Sequence, residues 1–262
     1  MGEQIIKNVK VVLDGVDLSG DMNEFSINYG ADMLDNTVFG QNSRRRFPGL
    51  KLTEISGGGF FNSSGGAAGR TNDPTVQPKI GAGSSDVVTI CPNGFGTTGN
   101  EAYFTKVAAA EYNVVGSIGD MLAFNLVAMG HGELVRGKVL EATSNYSTEN
   151  SAIQLLRQAA TTDMHFYAAV QVLRMSTGAN ITLDFNRTTT TDMSAAKSTQ
   201  FSITLTSDDI RTGRWSATKI DATSTGYSYQ ITVGNAGSSG PGKGGYIVAT
   251  IGYKRGGTRA NG

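Results

Sequence analysis

The chain has 262 residues, with 22 Lys+Arg against 22 Asp+Glu, 35 glycines, five prolines and one cysteine. Zero net charge argues against a free nucleic-acid binder, whose affinity comes largely from a cationic surplus that neutralises phosphates. A single cysteine excludes an intrachain disulfide and a cysteine-built metal site. Short apolar runs separated by Ser, Thr, Asn and Gly point instead to an all-β protein.

The charge is unevenly spread. Residues 1–142 hold 11 basic and 15 acidic side chains, a net of −4, and residues 143–262 hold 11 and 7, a net of +4. This asymmetry predicts two domains, 1–142 and 143–262. The N-terminal "MGEQIIKNVKVVLDG" lacks the apolar centre of a signal peptide, and no apolar run reaches membrane-spanning length, so the expectation is a soluble protein made in the cytoplasm.

In chain order, "DGVDLSGD" brings Asp14, Asp17 and Asp21 close together. The EF-hand spacing is absent, and turn formation accounts for them. "NEFSINY" alternates with period two, Phe25, Ile27 and Tyr29 opposing Glu24, Ser26 and Asn28. The densest cationic cluster follows in "FGQNSRRRFPGLKLTEISGGGFF" (39–61), where Arg44, Arg45, Arg46 and Phe47 stand on the shoulder of an expected hairpin. From Gly57 to Ser85 the density of glycine and proline predicts a long surface loop.

"SGDMNEFSI" (19–27) and "IGDMLAFNL" (118–126) echo each other. Gly20 and Asp21, and again Gly119 and Asp120, are read as hairpin turns leading into strands, which suggests two sheets entered alike. In "DMLAFNLVA" a strand is expected with Leu122, Phe124 and Leu126 on one face. "SAIQLLRQ" (151–158), "ITLDFNR", "QFSITLT", "YQITV" and "YIVATIGY" add further strands. In the last four, Ile181, Leu183, Phe185, Phe201, Ile203, Leu205, Tyr229, Ile231, Val233, Ile247, Ala249 and Ile251 would form buried faces with water on the other side.

Catalytic sets are hard to assemble from these residues. His131 and His165 lack acidic or cysteine neighbours at ligand spacing, His131 standing in an expected turn and His165 at the start of an apolar strand. "GSSGPGKGG" (237–245) approaches a phosphate-binding loop, but Gly244 replaces the required Ser or Thr and a strand follows instead of a helix. Asp208 and Asp209 read as a loop pair. The aromatics Trp215, Tyr227, Tyr229, Tyr246 and Tyr253 could form a sugar platform, although strand packing explains them more simply. The expectation is a non-enzymatic protein with no catalytic residues, no metal and no cofactor.

The order "VVLDGVDLSGDMNEFSINYGADMLDNTVFG", then "RRRFPGLKLTEISGGGFF", then "EAYFTKVAAAEYNVVGSIGDMLAFNLVAMGHGELVRGKVLEA" (101–142) resembles the tailed-bacteriophage major tail tube proteins over about residues 5–142. Such proteins usually carry a short helix after the third or fourth strand, and here the Gly/Pro-rich stretch stands in its place. Residues 146–255 resemble an appended β-sandwich of jelly-roll-like or immunoglobulin-like type.

The resemblance implies a tail-tube-type β-sandwich or barrel followed by a decorating sandwich. It also implies six-membered rings stacked into a virion tail tube, with DNA and a tape-measure protein in the lumen. Tail terminator and distal tail proteins would be the end partners. An acidic N-terminal half would line that lumen, and Arg44, Arg45, Arg46 and Phe47 would contact a neighbouring subunit or ring, with Glu24, Asp32 and Asp35 as possible acidic partners. The alternative is a carbohydrate- or host-surface-binding module carried by the C-terminal part.

Overall fold

The computed structural model describes residues 8–40, 42–63, 73–83, 85–143, 150–154, 164–175, 180–188, 198–209, 212–219, 228–235 and 246–255. The protein is all-β. The strands are β1 (Lys10–Leu13), β2 (Val16–Asp17), β3 (Met22–Asp35), β4 (Arg46–Phe60), β5 (Asp86–Cys91), β6 (Glu101–Val115), β7 (Ala123–Gly130), β8 (Val135–Thr143), β9 (Asn150–Gln154), β10 (Met164–Arg174), β11 (Asn180–Thr188), β12 (Ser198–Thr206), β13 (Thr212–Lys219), β14 (Ser228–Asn235) and β15 (Tyr246–Arg255). One helical turn, α1 (Asp73–Val76), runs into a 3₁₀ turn at Gln77–Lys79.

Among the described residues, eleven strands share one sheet. Its main path runs β13-β10-β15-β8-β6-β5-β1-β2, and β7, β4 and β3 branch from β6 in that order. The branch is possible because β6 is long. Its first residues pair with β8, its middle with β5, and Val107–Val115 with β7. The sheet therefore curls back on itself. Val11, Leu13, Val88 and Ile90 of β1 and β5 meet Ile55, Phe124, Leu126 and Ala128 of β4 and β7 in one apolar core, flanked by Phe25 and Ile27. β-branched and aromatic side chains suit such pleated, closely packed faces.

The opposite face of β1 and β5 meets the C-terminal strands. Val12 and Cys91 join Val139 and Val248 in one cluster, and Val87 and Phe104 join Val135 and Ala169 in another. A second sheet, ordered β12-β11-β14-β9, lies beyond, with β9 and β14 near β8 and β12 near β13. Residues 142 and 143, where the charge divides, are adjacent positions of β8, and the large sheet runs on from β8 into β15.

Several expectations need correction. Ile247 to Ile251 are all buried, so β15 is covered on both faces where water was expected on one; it pairs with β10 and β8 in the large sheet, and Val248 packs with Val12 and Cys91 of the N-terminal strands. Gly57, Gly58 and Gly59 lie within β4 and not in a loop. They pair with β3 on one side and β7 on the other, at separations that leave no room for a Cβ. Later in the same stretch, expected to be loop throughout, stands the helical turn α1. Residues 64–72 lie outside the described set.

The two Gly-Asp-Met motifs do not enter separate sheets. They lead into β3 and β7, which flank β4 in a single sheet. β7 starts only at Ala123, so Leu122, expected on a buried face, is exposed. "SAIQLLRQ" is strand as far as Gln154, and "GSSGPGKGG" lies outside the described residues.

Candidate assembly surfaces

The four strands β3-β4-β7-β6 form a sheet with two different faces. Rows set by the register run Ile27–Ile55–Ala128–Ala109 and Phe25–Gly57–Leu126–Tyr112 on the core side. The intervening rows are Asn28–Glu54–Met129–Ala108, Ser26–Ser56–Val127–Glu111 and Glu24–Gly58–Asn125–Asn113, which turn away from the core. That outward face carries Glu24, Glu54 and Glu111 among amides, serines, a glycine and an alanine, with Val127 and Met129 as its larger apolar members, and no basic side chain stands in these rows.

Both margins of this sheet are open. β3 pairs with β4 alone, and β6 beyond Val107 pairs with β7 alone, so neither outer edge has a strand beside it among the described residues. Such edges present ladder donors and acceptors to another chain. Each neighbouring pair is antiparallel. Consequently β3 and β6, at the two margins, run in opposite directions.

The two hairpins of this sheet project from opposite ends. β3 and β4 extend together well past the core into a long arm, with Asp35 opposite Arg46 and Leu34 opposite Phe47. Glu133, from the loop after β7, holds the arm at its base. It accepts from Lys51 Nζ at 3.0 Å and from Tyr29 Oη at 3.3 Å. Beyond that base Met33, Leu34, Val38, Phe39, Phe47 and Leu50 are exposed.

Arg44, Arg45, Arg46 and Phe47 all stand exposed on this arm. The Arg45 guanidinium lies over the Phe47 ring, 5.9 Å from its centroid. Asp35 turns its carboxylate to the Thr37 hydroxyl and amide, at 2.5 and 2.9 Å, and these bonds hold its pKa below the ordinary aspartate value. At the other end of the sheet the β6–β7 turn exposes Ile118 and Met121. Gly119 has φ +93°, and Asp120 N donates to Ser117 O. Gly20 and Asp21 form the turn between β2 and β3 at that same end, where Phe60 N donates to Asp21 O.

Residue spacing did not announce one cluster that the fold assembles. Lys79, at the end of the 3₁₀ turn, donates to Asp14 Oδ2 at 2.5 Å and to Asp86 Oδ1 at 2.8 Å. Asp14 sits in the β1–β2 turn at φ +44° and also accepts from Val87 N. The second Asp86 oxygen is buried without a hydrogen-bond partner. Burial first, and then the Asp14 carboxylate, push Asp86 up to about 6 despite the attraction of Lys79. The Lys79 ammonium moves upward, because the two carboxylates outweigh its own desolvation.

The remaining candidates are scattered. Exposed His131 follows β7, and half-buried His165 lies on β10. Burial works to raise the Asp209 carboxyl, but the Thr206 N–H, donating at 2.7 Å, and then the paired Arg214 guanidinium hold it below the ordinary value. Trp215 meets Phe104 edge-to-face at 5.7 Å and lies tilted against Tyr167 at 5.6 Å, so these rings serve the contact between β13, β10 and β6.

No protein-family model matches the chain, and no curated protein matches it. Among solved structures, a chain of the virion of a native gene transfer agent particle is similar at 16% identity and a TM-score of 0.40, covering 50% of this chain and 97% of that one. A chain from the tail of an empty gene transfer agent particle, refined with C6 symmetry, is similar at 16% identity and a TM-score of 0.39, over 51% and 97%. The SPP1 Dit protein, described as a hub of the adsorption apparatus in phages infecting Gram-positive bacteria, gives 9% identity and a TM-score of 0.37, over 95% and 100%.

Proposed function

We propose that this protein is a structural subunit of a phage-type tail, closing copies side by side into rings that stack as the tube through which DNA passes. One observation carries the reading. The β3-β4-β7-β6 sheet has open edges on both margins, and those margins run in opposite directions. Rotating one copy about an axis along the strands therefore places its β3 antiparallel to its neighbour's β6. The contact is head-to-tail, so it repeats until the ring closes and no edge remains.

On this reading the outward face of the sheet lines the lumen. Glu24, Glu54 and Glu111 would keep the wall weakly anionic, so that a polyanion slides past it without adhering. The arm reaches along the tube axis to the next ring. Its apolar residues and Arg44, Arg45 and Arg46 face the opposite end of a neighbouring copy, where Ile118 and Met121 stand exposed beside Asp120. Each exposed ion pair is worth well under about 1 kcal/mol, but a closed ring repeats it in every subunit.

Electron microscopy of the purified full-length protein should show rings or tubes. Reversing Arg44, Arg45 and Arg46 to Glu should leave the circular dichroism of the monomer intact and suppress stacking. Normal tubes from that variant would remove the role given to the arm, and a purely monomeric wild type at high concentration would remove the ring.

A further inference from the structure

The β6 edge is flanked in the monomer by a segment with an anchor of its own. Strand β5 leaves β6 at the Asp86–Val107 pair. The chain that feeds β5 lies beside the stretch of β6 left uncovered. The 3₁₀ turn is against β6, and Val76 is fully buried with Val107 and Ala109. Asp73 acts on Tyr112, whose hydroxyl is pushed up to about 12 by burial and then by that carboxylate.

We propose that residues 73–83 form a strap beside the open edge of β6 and that Lys79, gripped by Asp14 and Asp86, is its latch, so that releasing Lys79 frees the edge for the next copy. The strap is held at two points. Val76 supplies the apolar one and Lys79, its sole basic residue, the ionic one. Both carboxylates belong to other elements, the β1–β2 turn and the first residue of β5, so the latch ties the strap to the sheet and not to itself. The hinge follows directly. Gly81 and Gly83 have φ of +71° and +69° and would meet nothing within 4 Å if given a Cβ, so the exit from the strap has both backbone freedom and open space.

Covering an edge with a helical or loop segment is one way a protein keeps an unpaired strand from premature association. The geometry of the strap is independent of the ring, but its consequence for assembly rests on the ring reading.

Hydrogen exchange of the Ala108–Val115 amides, in full-length protein below its assembly concentration, tests the strap. Lys79→Met should speed exchange there about tenfold, the size expected for losing charge-assisted hydrogen bonds, while the β11–β12 amides, in the other sheet, keep their wild-type rates. Asp86→Asn, which retains the bond to Asp14, should give a smaller increase and covers the case in which Lys79→Met fails to fold. Unchanged exchange at β6 in a folded variant overturns the strap. In the same preparations Lys79→Met should shorten the lag of tube growth followed by light scattering, and a longer lag with faster exchange overturns the gating role. Should exchange rise while neither wild type nor variant assembles, the strap stands and the ring reading falls.

Discussion

A Cβ on Gly59 would collide with the Asp21 carbonyl oxygen and come within 2.7 Å of Met22 Cα, and one on Gly58 would lie 2.8 Å from Asn125 Oδ1. The glycines of β4 are thus a packing requirement where three strands approach closely. Gly59→Ala is expected to lower stability by about 1–3 kcal/mol, the usual cost of overpacking a site whose neighbours are backbone, whereas Gly96→Ala, with open space around it, should be nearly neutral. Urea midpoints of the two variants check this. Asp86 makes a second case at this scale. Its folded pKa of about 6 lies above the unfolded value of 3.8, so the folded protein holds this proton more tightly. The associated stabilisation is complete below about pH 4 and is lost as pH rises through 6. Asp86→Asn should flatten the change in unfolding temperature between pH 4 and 7, and an unchanged slope would show that another group dominates there.

At the level of elements, the sequence pattern identified strands better than it identified their surroundings. Period two at Phe25 and Ile27, and at Phe124 and Leu126, marks faces that do turn to the core. It cannot say how far a strand outruns that core, which is how the arm between β3 and β4 comes to expose Phe39 and Leu50. Nor can it distinguish a glycine run that breaks a strand from one that lets three strands crowd together. The open edge of β6 invites a direct test at Ala110, which the register skips between Ala109 and Glu111. Proline is tolerated at bulges and edges, where it removes a donor from the open side. Ala110→Pro should keep the monomer's strand content and abolish ring closure by sedimentation. Rings that survive it would move the subunit contact elsewhere.

Across the whole molecule, a buried amide ties β10 to the N-terminal strands. Gln171 of β10 accepts from Gly15 N at 2.8 Å, and its Nε2 donates to Val87 O at 2.9 Å and Thr89 Oγ1 at 3.0 Å. It is fully buried, and Gly213 of β13 approaches the same spot so closely that a Cβ would lie 2.8 Å from Asp14 Oδ1. Gln171→Leu would strand buried polar groups in a site of similar volume, at about 1–3 kcal/mol for each group left unsatisfied. Its urea midpoint should fall, with loss of structure in the N-terminal and C-terminal strands together. Independent unfolding of the two parts would show that the junction is weaker than the network suggests.

Sequence alone determined the class of this protein: strands by period two, and a cationic cluster beside one of them, both local properties of adjacent residues. Only the tertiary structure decided that Lys79 would meet Asp14 and Asp86, that β15 would be buried on both faces, and that β3 and β6 would end the sheet as open margins. Those are facts about residues far apart in the chain, and pairing between distant strands is set by which surfaces the whole molecule can bury at once, a choice that no short stretch encodes.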